Sequence, residues 1–421
     1  MTSKRRKALF SMLGAALAAC LMAADLAGTA LAGPLEDGAS AYGRGEYESA
    51  MRLLRPLAEQ GVAMAQHGIG LMYDNGQGVP RNPAEAAKWY RLAAEQGVDA
   101  AQYALGVIYF NGKGVPQDGL EALKWFRKAA DQGNASAQFT LGHMYNTGQG
   151  VPQDFAEARR WFRRAADRNY AQAQLFLGSM YAVGRGGPKD YAAAVGWWRR
   201  AAALGDVQAQ LLLGFIYANG EGVAQDFAEA VNWYGMAAEQ GDTGALLYLG
   251  DIYSGGHGVR RDYAEAMKWY EKGAARGDAQ AQYNIAFMFA NGRGVQQDDS
   301  EAVKWYRKAA EQDLAGAQSN LGNMYSTGRG IRQDYEEAVK WWTRAAEQGN
   351  AQAQRNLALV HVKGRGVPRD PVLAHMWFNL AASSGNPDAV AARDIFARML
   401  TAEEVERANQ LAHQWAENHK Q

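Results

Sequence analysis

Cysteine is almost missing from this chain, whose 421 residues include only Cys20. A single cysteine excludes an intrachain disulfide framework and any zinc site built on several thiolates. An excess of charge of one sign is also lacking, because 44 Lys and Arg balance 44 Asp and Glu. A neutral chain without a basic patch argues against nucleic-acid binding.

The residue patterns of common enzyme sites are absent from the sequence as well. The seven histidines form no His-Glu-x-x-His motif and no Cys/His cluster, and no Gly-x-Ser-x-Gly motif occurs. The recurrent Gly-x-Gly-Val loops lack the preceding strand that a phosphate-binding loop needs. We therefore expect a chain that is not an enzyme, with no catalytic residues, no metal and no cofactor.

The N-terminus has the order of segments found in a secretory signal peptide. Residues 4–7 read Lys-Arg-Arg-Lys, and an apolar run from Ala8 to Ala24 follows. Small residues at Ala30 and Ala32 then precede Gly33. This order predicts a signal peptide over residues 1–32, cleaved after Ala32, and a periplasmic or secreted protein.

A second export signal overlaps the first. Leu17-Ala18-Ala19-Cys20 fits a bacterial lipobox, in which the cysteine is lipidated and becomes the new N-terminus. The apolar run continues past Cys20, which favours soluble export. Lipid anchoring through Cys20 stays open as the alternative, and we expect membrane association only in that case.

A period of 36 residues dominates the rest of the sequence. It runs through residues 62–385 as nine units, without an insertion or deletion. Such a period is typical of helical repeats, in which each unit buries its apolar face against the next unit. The unit at residues 98–133 shows the pattern, and its recurrent residues are Ala101, Leu105, Gly106, Tyr109, Gly112, Gly114, Val115, Asp118, Ala122, Trp125, Ala129, Ala130 and Gly133.

Each unit predicts two helices joined by a Gly-rich loop. Ala101, Leu105 and Tyr109 share one face of a first helix, and Asp118 is a suitable N-cap for a second. Gly106 inside the first helix indicates a close approach of a neighbouring helix, and Gly133 predicts a left-handed C-cap. A tryptophan recurs in the second helix of all nine units, from Trp89 to Trp377, and its strict spacing indicates a core position. The predicted fold is an all-α solenoid of stacked antiparallel helix pairs.

The ends of the array differ from its repeats. We expect residues 33–61 to form an N-terminal capping half-repeat of tetratricopeptide-like type. Residues 386–421 predict a C-terminal helical cap, in which Thr401 and Glu404 have the spacing of a capping box.

With these recurrent positions, the chain resembles the Sel-like repeat family, a branch of the tetratricopeptide-like α-solenoids. The resemblance covers residues 62–385 and implies right-handed superhelical stacking and an adaptor or scaffold role in protein complexes. Exported bacterial members of this family are linked to envelope assembly, exopolysaccharide export, signalling and host contact. A lipid-anchored assembly factor for exopolysaccharide export is therefore one alternative. A cell-wall hydrolase of the β-lactamase-like branch is another, but that branch has paired cysteines in its repeats, which this chain lacks.

The residue just before the recurrent leucine is the candidate binding position, because first helices line the groove in related solenoids. Three successive units have asparagine there, Asn284, Asn320 and Asn356. An amide both donates and accepts, so a line of amides suits an extended peptide backbone. We predict a protein or peptide partner, held by these three residues with help from further residues of the same face, namely Asn323, Arg355, Phe176, Leu212 and Tyr248. The alternative is that each asparagine caps local backbone or is merely a residue typical of the family at this position.

Overall fold

The computed structural model describes residues 29–383 and 387–419, with the side chains of 29–32 and 387 left aside. The described residues form 22 helices joined by turns, with no β-strand among them. The all-α solenoid expected from the repeats is confirmed. Residues 1–28 of the signal peptide predicted over residues 1–32, and with them the lipobox at Cys20, lie outside the described residues.

The chain divides into two compact units, and the division falls between Ala209 and Gln210. The first unit contains ten complete helices. They are α1 (Thr29–Gly43), α2 (Tyr47–Glu59), α3 (Ala63–Asn75), α4 (Pro83–Glu95), α5 (Asp99–Asn111), α6 (Gly119–Asp131), α7 (Ala135–Thr147), α8 (Phe155–Asp167), α9 (Ala171–Val183) and α10 (Tyr191–Ala203). From α1 to α10, consecutive helices pack together.

The second unit begins within α11 (Val207–Asn219). Its other helices are α12 (Phe227–Glu239), α13 (Thr243–Gly255), α14 (Tyr263–Ala274), α15 (Ala279–Asn291), α16 (Asp299–Glu311), α17 (Ala315–Thr327), α18 (Tyr335–Glu347), α19 (Ala351–Lys363), α20 (Pro371–Ala382), α21 (Pro387–Ala397) and α22 (Ala402–Asn418). From α12 to α21, consecutive helices pack together, and α22 packs on α20.

Caps fix the bounds of the helices as the sequence predicts. The Asp118 carboxylate accepts hydrogen bonds from the backbone N–H groups of Leu120 and Glu121, at 2.9 and 3.0 Å. The same cap recurs before the second helix of every repeat, from Asn82 to Asp370. Because the carboxylate satisfies N–H groups that the helix leaves unpaired, it defines the helix start.

The turn after the second helix of a repeat needs a left-handed residue. Gly133 adopts φ 94° there, as predicted. Two repeats have Asn169 and Asp313 instead, each with φ 60°, and these are the non-glycine residues of positive φ in the described chain. Asparagine and aspartate tolerate this conformation better than other side chains, so the turn keeps its geometry.

The core of each repeat is formed by the aromatic residue that follows the recurrent tryptophan. This residue is buried in all nine repeats: Tyr90, Phe126, Phe162, Trp198, Tyr234, Tyr270, Tyr306, Trp342 and Phe378. In seven repeats its ring lies on the glycine of the first helix. A Cβ on Gly106 would lie 2.6 Å from Cδ1 of Phe126, closer than carbon atoms pack. The close approach predicted for this glycine is thus a helix-to-ring contact.

The recurrent tryptophans differ in their burial. Trp125, Trp161, Trp197 and Trp377 are buried, whereas the other five are half-buried. Cationic side chains one turn later cover the open ring faces in six repeats, as Lys272 does at 3.9 Å from the ring centroid of Trp269. The predicted core position is thus confirmed for four of the nine tryptophans, whereas the other five lie at the edge of the core, which is a correction to the prediction.

The two ends contain helices of their own. Residues 33–61, expected as a capping half-repeat, lie within the packed helices α1 and α2. At the other end, Thr401 and Glu404 form the predicted capping box, with side-chain to backbone hydrogen bonds in both directions. The ring of Trp415 on α22 contacts Trp377 edge-on, with centroids 5.8 Å apart, and so attaches α22 to the last repeat.

Candidate functional site: polar pockets along the first helices of the second unit

The three predicted asparagines lie half-buried on α15, α17 and α19, which are consecutive first helices of the second unit. Asn356 Nδ2 donates to Oδ1 of Asn323 at 2.7 Å, and its Oδ1 accepts from Gln352 Nε2 at 3.1 Å. Asn323 belongs to the preceding repeat. The amide thus links two repeats through side-chain hydrogen bonds, and no hydrogen bond to local backbone is found for it within the described chain.

Asn284, two repeats before Asn356, makes hydrogen bonds of the same kind. Its Nδ2 lies 3.4 Å from Oδ1 of Asp251, and its Oδ1 accepts from Gln280 at 3.1 Å. Asn320 differs, because Nδ2 lies 3.4 Å from the hydroxyl oxygen of Tyr283. All three amides therefore contact the preceding repeat. Asn284 and Asn356 each also accept a hydrogen bond from the glutamine four residues earlier on the same helix.

Two pockets open beside these amides, and they occupy equivalent positions two repeats apart. The first has a volume of about 280 Å³ and is lined by Asp251, Ser254, Tyr263, Tyr270, Tyr283, Asn284, Phe287, Met288 and Arg293. The second has a volume of about 240 Å³ and is lined by Asn323, Ser326, Thr327, Tyr335, Trp342, Asn356, Leu359, Val360, Lys363 and Arg365. We call them the Asp251 pocket and the Asn323 pocket. The structure thus places Asn284 in one pocket and Asn356 with Asn323 in the other.

The Asp251 pocket contains a hydrogen-bonded carboxylate. Tyr270 donates its hydroxyl to Oδ1 of Asp251 at 2.7 Å, and Ser254 Oγ lies 3.2 Å from the same hydroxyl. Asp251 is an exposed residue. The protein around its carboxyl nevertheless desolvates that group and raises its pKa, and the hydrogen bond from Tyr270 offsets only part of this rise. Burial also raises the pKa of the Tyr270 hydroxyl. The tyrosine therefore stays a donor, and the carboxylate is an acceptor at the pocket wall.

The Asn323 pocket has the same frame with different chemistry. Asn323 Oδ1 accepts from Trp342 Nε1 at 3.1 Å as well as from Asn356. Lys363 and Arg365 line this pocket, and no acidic residue does. One pocket is therefore acidic at its wall, and the other is neutral to basic.

The remaining predicted residues have separate surroundings. Arg355 is half-buried, and its Nε makes no hydrogen bond within the described part of the chain. Tyr248 is 46% exposed and stacks on Tyr234, with centroids 5.0 Å apart. Leu212 is half-buried. Phe176 belongs to the first unit, where it stacks on Phe162 with centroids 5.5 Å apart, so the structure describes it apart from the three asparagines.

Sequence reasoning missed a ladder of buried glutamines that joins the repeats. Gln102 is 4% exposed, donates from Nε2 to the carbonyl of Ala94 at 3.0 Å, and accepts from Gln132 Nε2 at 2.8 Å. The same bond between glutamines 30 residues apart occurs in five repeats. The Ala-Gln pair that recurs near the start of the first helix in eight of the nine repeats was the available signal.

The described residues offer little else in the way of a site. No group of three or more His, Cys, Asp or Glu in residues 29–383 and 387–419 is placed to hold a metal ion. Within the same ranges, no helix has the length and apolarity needed to cross a bilayer.

Comparison with known proteins gives a consistent family. Nine consecutive segments match the model of the Sel1 repeat, at residues 63–98, 99–134, 135–170, 171–206, 207–242, 243–278, 279–314, 315–350 and 351–386. A comparison with curated proteins gives no match.

Two solved structures are similar over most of their length. One is c5321, a protective antigen present in uropathogenic Escherichia coli strains and displaying an SLR fold. It is 35% identical over 93% of this chain and 93% of that chain, with a TM-score of 0.59. The other is a Sel1 repeat protein from Oxalobacter formigenes, 36% identical over 74% of this chain and 90% of that chain, with a TM-score of 0.58. With nine matched repeats and these two relatives, the chain belongs to the Sel1 repeat family, the Sel-like repeat branch of the α-solenoids.

Proposed function

We propose that this protein is an exported scaffold that holds an extended peptide, or the tail of a protein partner, against α15, α17 and α19, without catalysing a reaction. A Sel1 repeat array suggests protein–protein interaction in general. The single observation that supports the finer proposal is that Asn284, Asn320 and Asn356 recur at one position of successive repeats, and that each keeps at least one acceptor lone pair free.

The capacity can be counted atom by atom. An amide side chain has two N–H donors and two acceptor lone pairs. Asn356 uses one donor toward Asn323 and one lone pair toward Gln352, and Asn284 uses one of each toward Asp251 and Gln280. One donor and one lone pair therefore remain on Asn356. Asn284 keeps one lone pair, because its second N–H faces the hydroxyl oxygen of Tyr270. An extended backbone offers an N–H and a C=O at every residue, so Asn356 can bind one whole peptide unit and Asn284 can accept from one backbone N–H.

Neighbouring side chains support the same face. Both lone pairs of Asn323 Oδ1 are used, by Asn356 and by Trp342, so Asn323 fixes the orientation of Asn356. Tyr248 and Leu212 add apolar surface on first helices of the same unit. The proposal for α15, α17 and α19 does not depend on Phe176, which lies in the first unit.

Export is supported by the sequence and by one relative. The relative c5321 is described as a protective antigen present in uropathogenic Escherichia coli strains, a description that is compatible with an exported protein. In α1, the first buried side chain among those described is Leu35, which lies after the proposed cleavage site. Intact mass of the mature protein tests export directly, because the chain should begin at Gly33, or at an acylated Cys20 if the lipobox is used.

The binding face can be mapped by cross-linking in the native envelope. A photoreactive amino acid at position 320 should give a cross-linked partner, whereas the same residue at position 311 should not. Glu311 is a suitable control because it is exposed on a second helix, α16, and makes no side-chain hydrogen bond within the described chain. Equal cross-linking at both positions, or none at 320, would contradict the proposed face.

A further inference from the structure

The Asp251 pocket differs from the corresponding position of every other repeat. Where the sixth repeat has Asp251, the others have Leu71, Val107, His143, Ser179, Phe215, Phe287, Asn323 and Leu359. The carboxylate is therefore not part of the recurrent pattern that builds the fold. Its contacts with Tyr270 and Asn284 bring together residues from α13, α14 and α15, all in the second unit.

The carboxylate of Asp251 has one oxygen unoccupied. Oδ1 receives the hydrogen bonds of Tyr270 and Asn284, whereas Oδ2 receives none from the described residues. No Lys, Arg or His of residues 29–383 or 387–419 forms an ion pair with it. An ionised carboxylate with a free oxygen at the wall of a pocket favours a cationic donor, since charge-assisted hydrogen bonds are about twice as strong as neutral ones.

The other walls of the pocket are aromatic. Tyr263, Tyr270, Tyr283 and Phe287 line it. Aromatic faces attract cations, and the chain itself shows that these rings accept one. The guanidinium of Arg293 lies 4.9 Å from the ring centroid of Phe287 and 5.8 Å from that of Tyr263. Arg293 forms no ion pair with Asp251, so it covers the outer rings and leaves the carboxylate available.

The Asn323 pocket provides an internal comparison. Asn323 and Leu359 stand at the positions of Asp251 and Phe287, so this pocket lacks both the charge and that ring. Its cations, Lys363 and Arg365, would repel a positively charged group. Arg365 has its counterpart in Arg293 of the Asp251 pocket, so the two pockets differ in charge by the Asp251 carboxylate and by Lys363.

We infer that the Asp251 pocket binds a cationic side chain, lysine or arginine, of the extended segment that the second unit holds. This deepens the proposed function and rests on it. The ammonium or guanidinium group donates to Oδ2 of Asp251, and its aliphatic stem packs against Tyr283, since Arg293 already covers Phe287. A bound segment is thereby oriented, because its basic residue enters the Asp251 pocket and cannot enter the Asn323 pocket.

The test uses the mature full chain and two blocked pentapeptides, Ala-Ala-Lys-Ala-Ala and the same peptide with norleucine in place of lysine. Norleucine keeps the stem and removes the charge. We expect the lysine peptide to bind about tenfold more tightly, with shifted NMR signals of Tyr270 and Tyr283. The variant Asp251→Asn, which adopts the residue of the Asn323 pocket, should lose this preference. Glu239→Gln, a change of equal charge on an exposed residue of α12, should keep it.

Each contrary outcome has a definite meaning. Equal affinity for the two peptides, or a preference that survives Asp251→Asn, overturns the inference, and so does the absence of binding up to about 10 mM lysine peptide. N-acetylglucosamine is a further probe. If it shifts the NMR signals of the pocket and the lysine peptide does not, the pocket binds neutral sugars and the inference is overturned. If uncharged peptides bind at Asn320 and Asn356, the proposed function stands although the inference fails. If lysine amide binds the pocket but no peptide contacts those asparagines, the inference about the pocket stands and the proposed function fails.

Discussion

Asn356 donates a hydrogen bond from Nδ2 to Oδ1 of Asn323, 33 residues earlier, over 2.7 Å. This bond joins two consecutive first helices, and Trp342 anchors its acceptor from behind. A polar residue that is held on one side and open on the other is pre-organised for a ligand, because little side-chain freedom is left to lose on binding. The bond therefore serves both the packing of the repeats and the proposed binding face.

Two glycines inside helices, Gly106 and Gly196, predict opposite effects of the same substitution on stability. Gly106→Ala should destabilise the first unit by about 1–2 kcal/mol, because the added Cβ would overlap the ring of Phe126. Gly196→Ala should stabilise it by about 0.5–1 kcal/mol, because nothing lies within 4 Å of a Cβ there and alanine favours the helix. Urea unfolding followed by circular dichroism measures both. A stabilising Gly106→Ala would show that the ring contact does not restrict this position.

The glutamine ladder has two gaps that can be repaired. Gln138 Oε1 and Gln174 Oε1 are buried without a partner in the described chain, and the positions 30 residues later have Arg168 and Leu204 in place of glutamine. Arg168→Gln should restore the missing bond and raise the unfolding free energy of the first unit by about 1 kcal/mol. The variant Arg168→Ala is the control, since it removes arginine without supplying a donor. Equal stability of the two variants would mean that the repaired bond contributes nothing.

His67 predicts a loss of stability in mild acid. Burial lowers the pKa of His67 from 6.5 to about 4, and the charge of Asp99 opposes this only in part. The unfolded chain then binds a proton more readily than the folded chain between these values. Stability is therefore complete above pH 6.5 and falls as the pH drops toward 4, by about 2 kcal/mol between pH 7 and pH 5.

Hydrogen exchange of the backbone amides in α3 and α4 measures this local stability at the two pH values, after correction for the intrinsic exchange rate. His67→Leu, which introduces the residue found at the equivalent positions 175, 211 and 247, should remove the pH dependence. The exposed His413 serves as the control, and His413→Leu should leave it unchanged. A pH dependence that persists in His67→Leu would assign it to other groups.

Much of this fold can be predicted from the sequence because its signals are local. Asp118 and Gly133 act on the backbone within a few residues, so the bounds of the helices follow from their positions. The sequence does not show whether Trp125 or Phe126 is the more deeply buried, because both residues recur with the same 36-residue period. The contact of Phe126 with Gly106 across two helices decides it.

The candidate site shows the same limit. The spacing of Asn284, Asn320 and Asn356 is visible in the sequence, but their partners depend on how one repeat packs on the next. Asp251 was overlooked because a single acidic residue on a helix is ordinarily solvated. Asp251 lines a pocket only because the fold brings Tyr270, 19 residues later, and Asn284 into contact with it.

The central claim is that the three amides bind the backbone of a partner, and one affinity measurement tests it. An extended peptide selected from a random library on the mature protein should bind Asn284→Ala/Asn320→Ala/Asn356→Ala about 100-fold more weakly, as expected for three hydrogen bonds of about 1 kcal/mol each. Helicity should be unchanged. The matched control Glu239→Ala/Glu311→Ala/Glu347→Ala, on exposed second-helix positions of the same unit, should bind normally. Unchanged affinity in the asparagine variant, at full helicity, would contradict the claim.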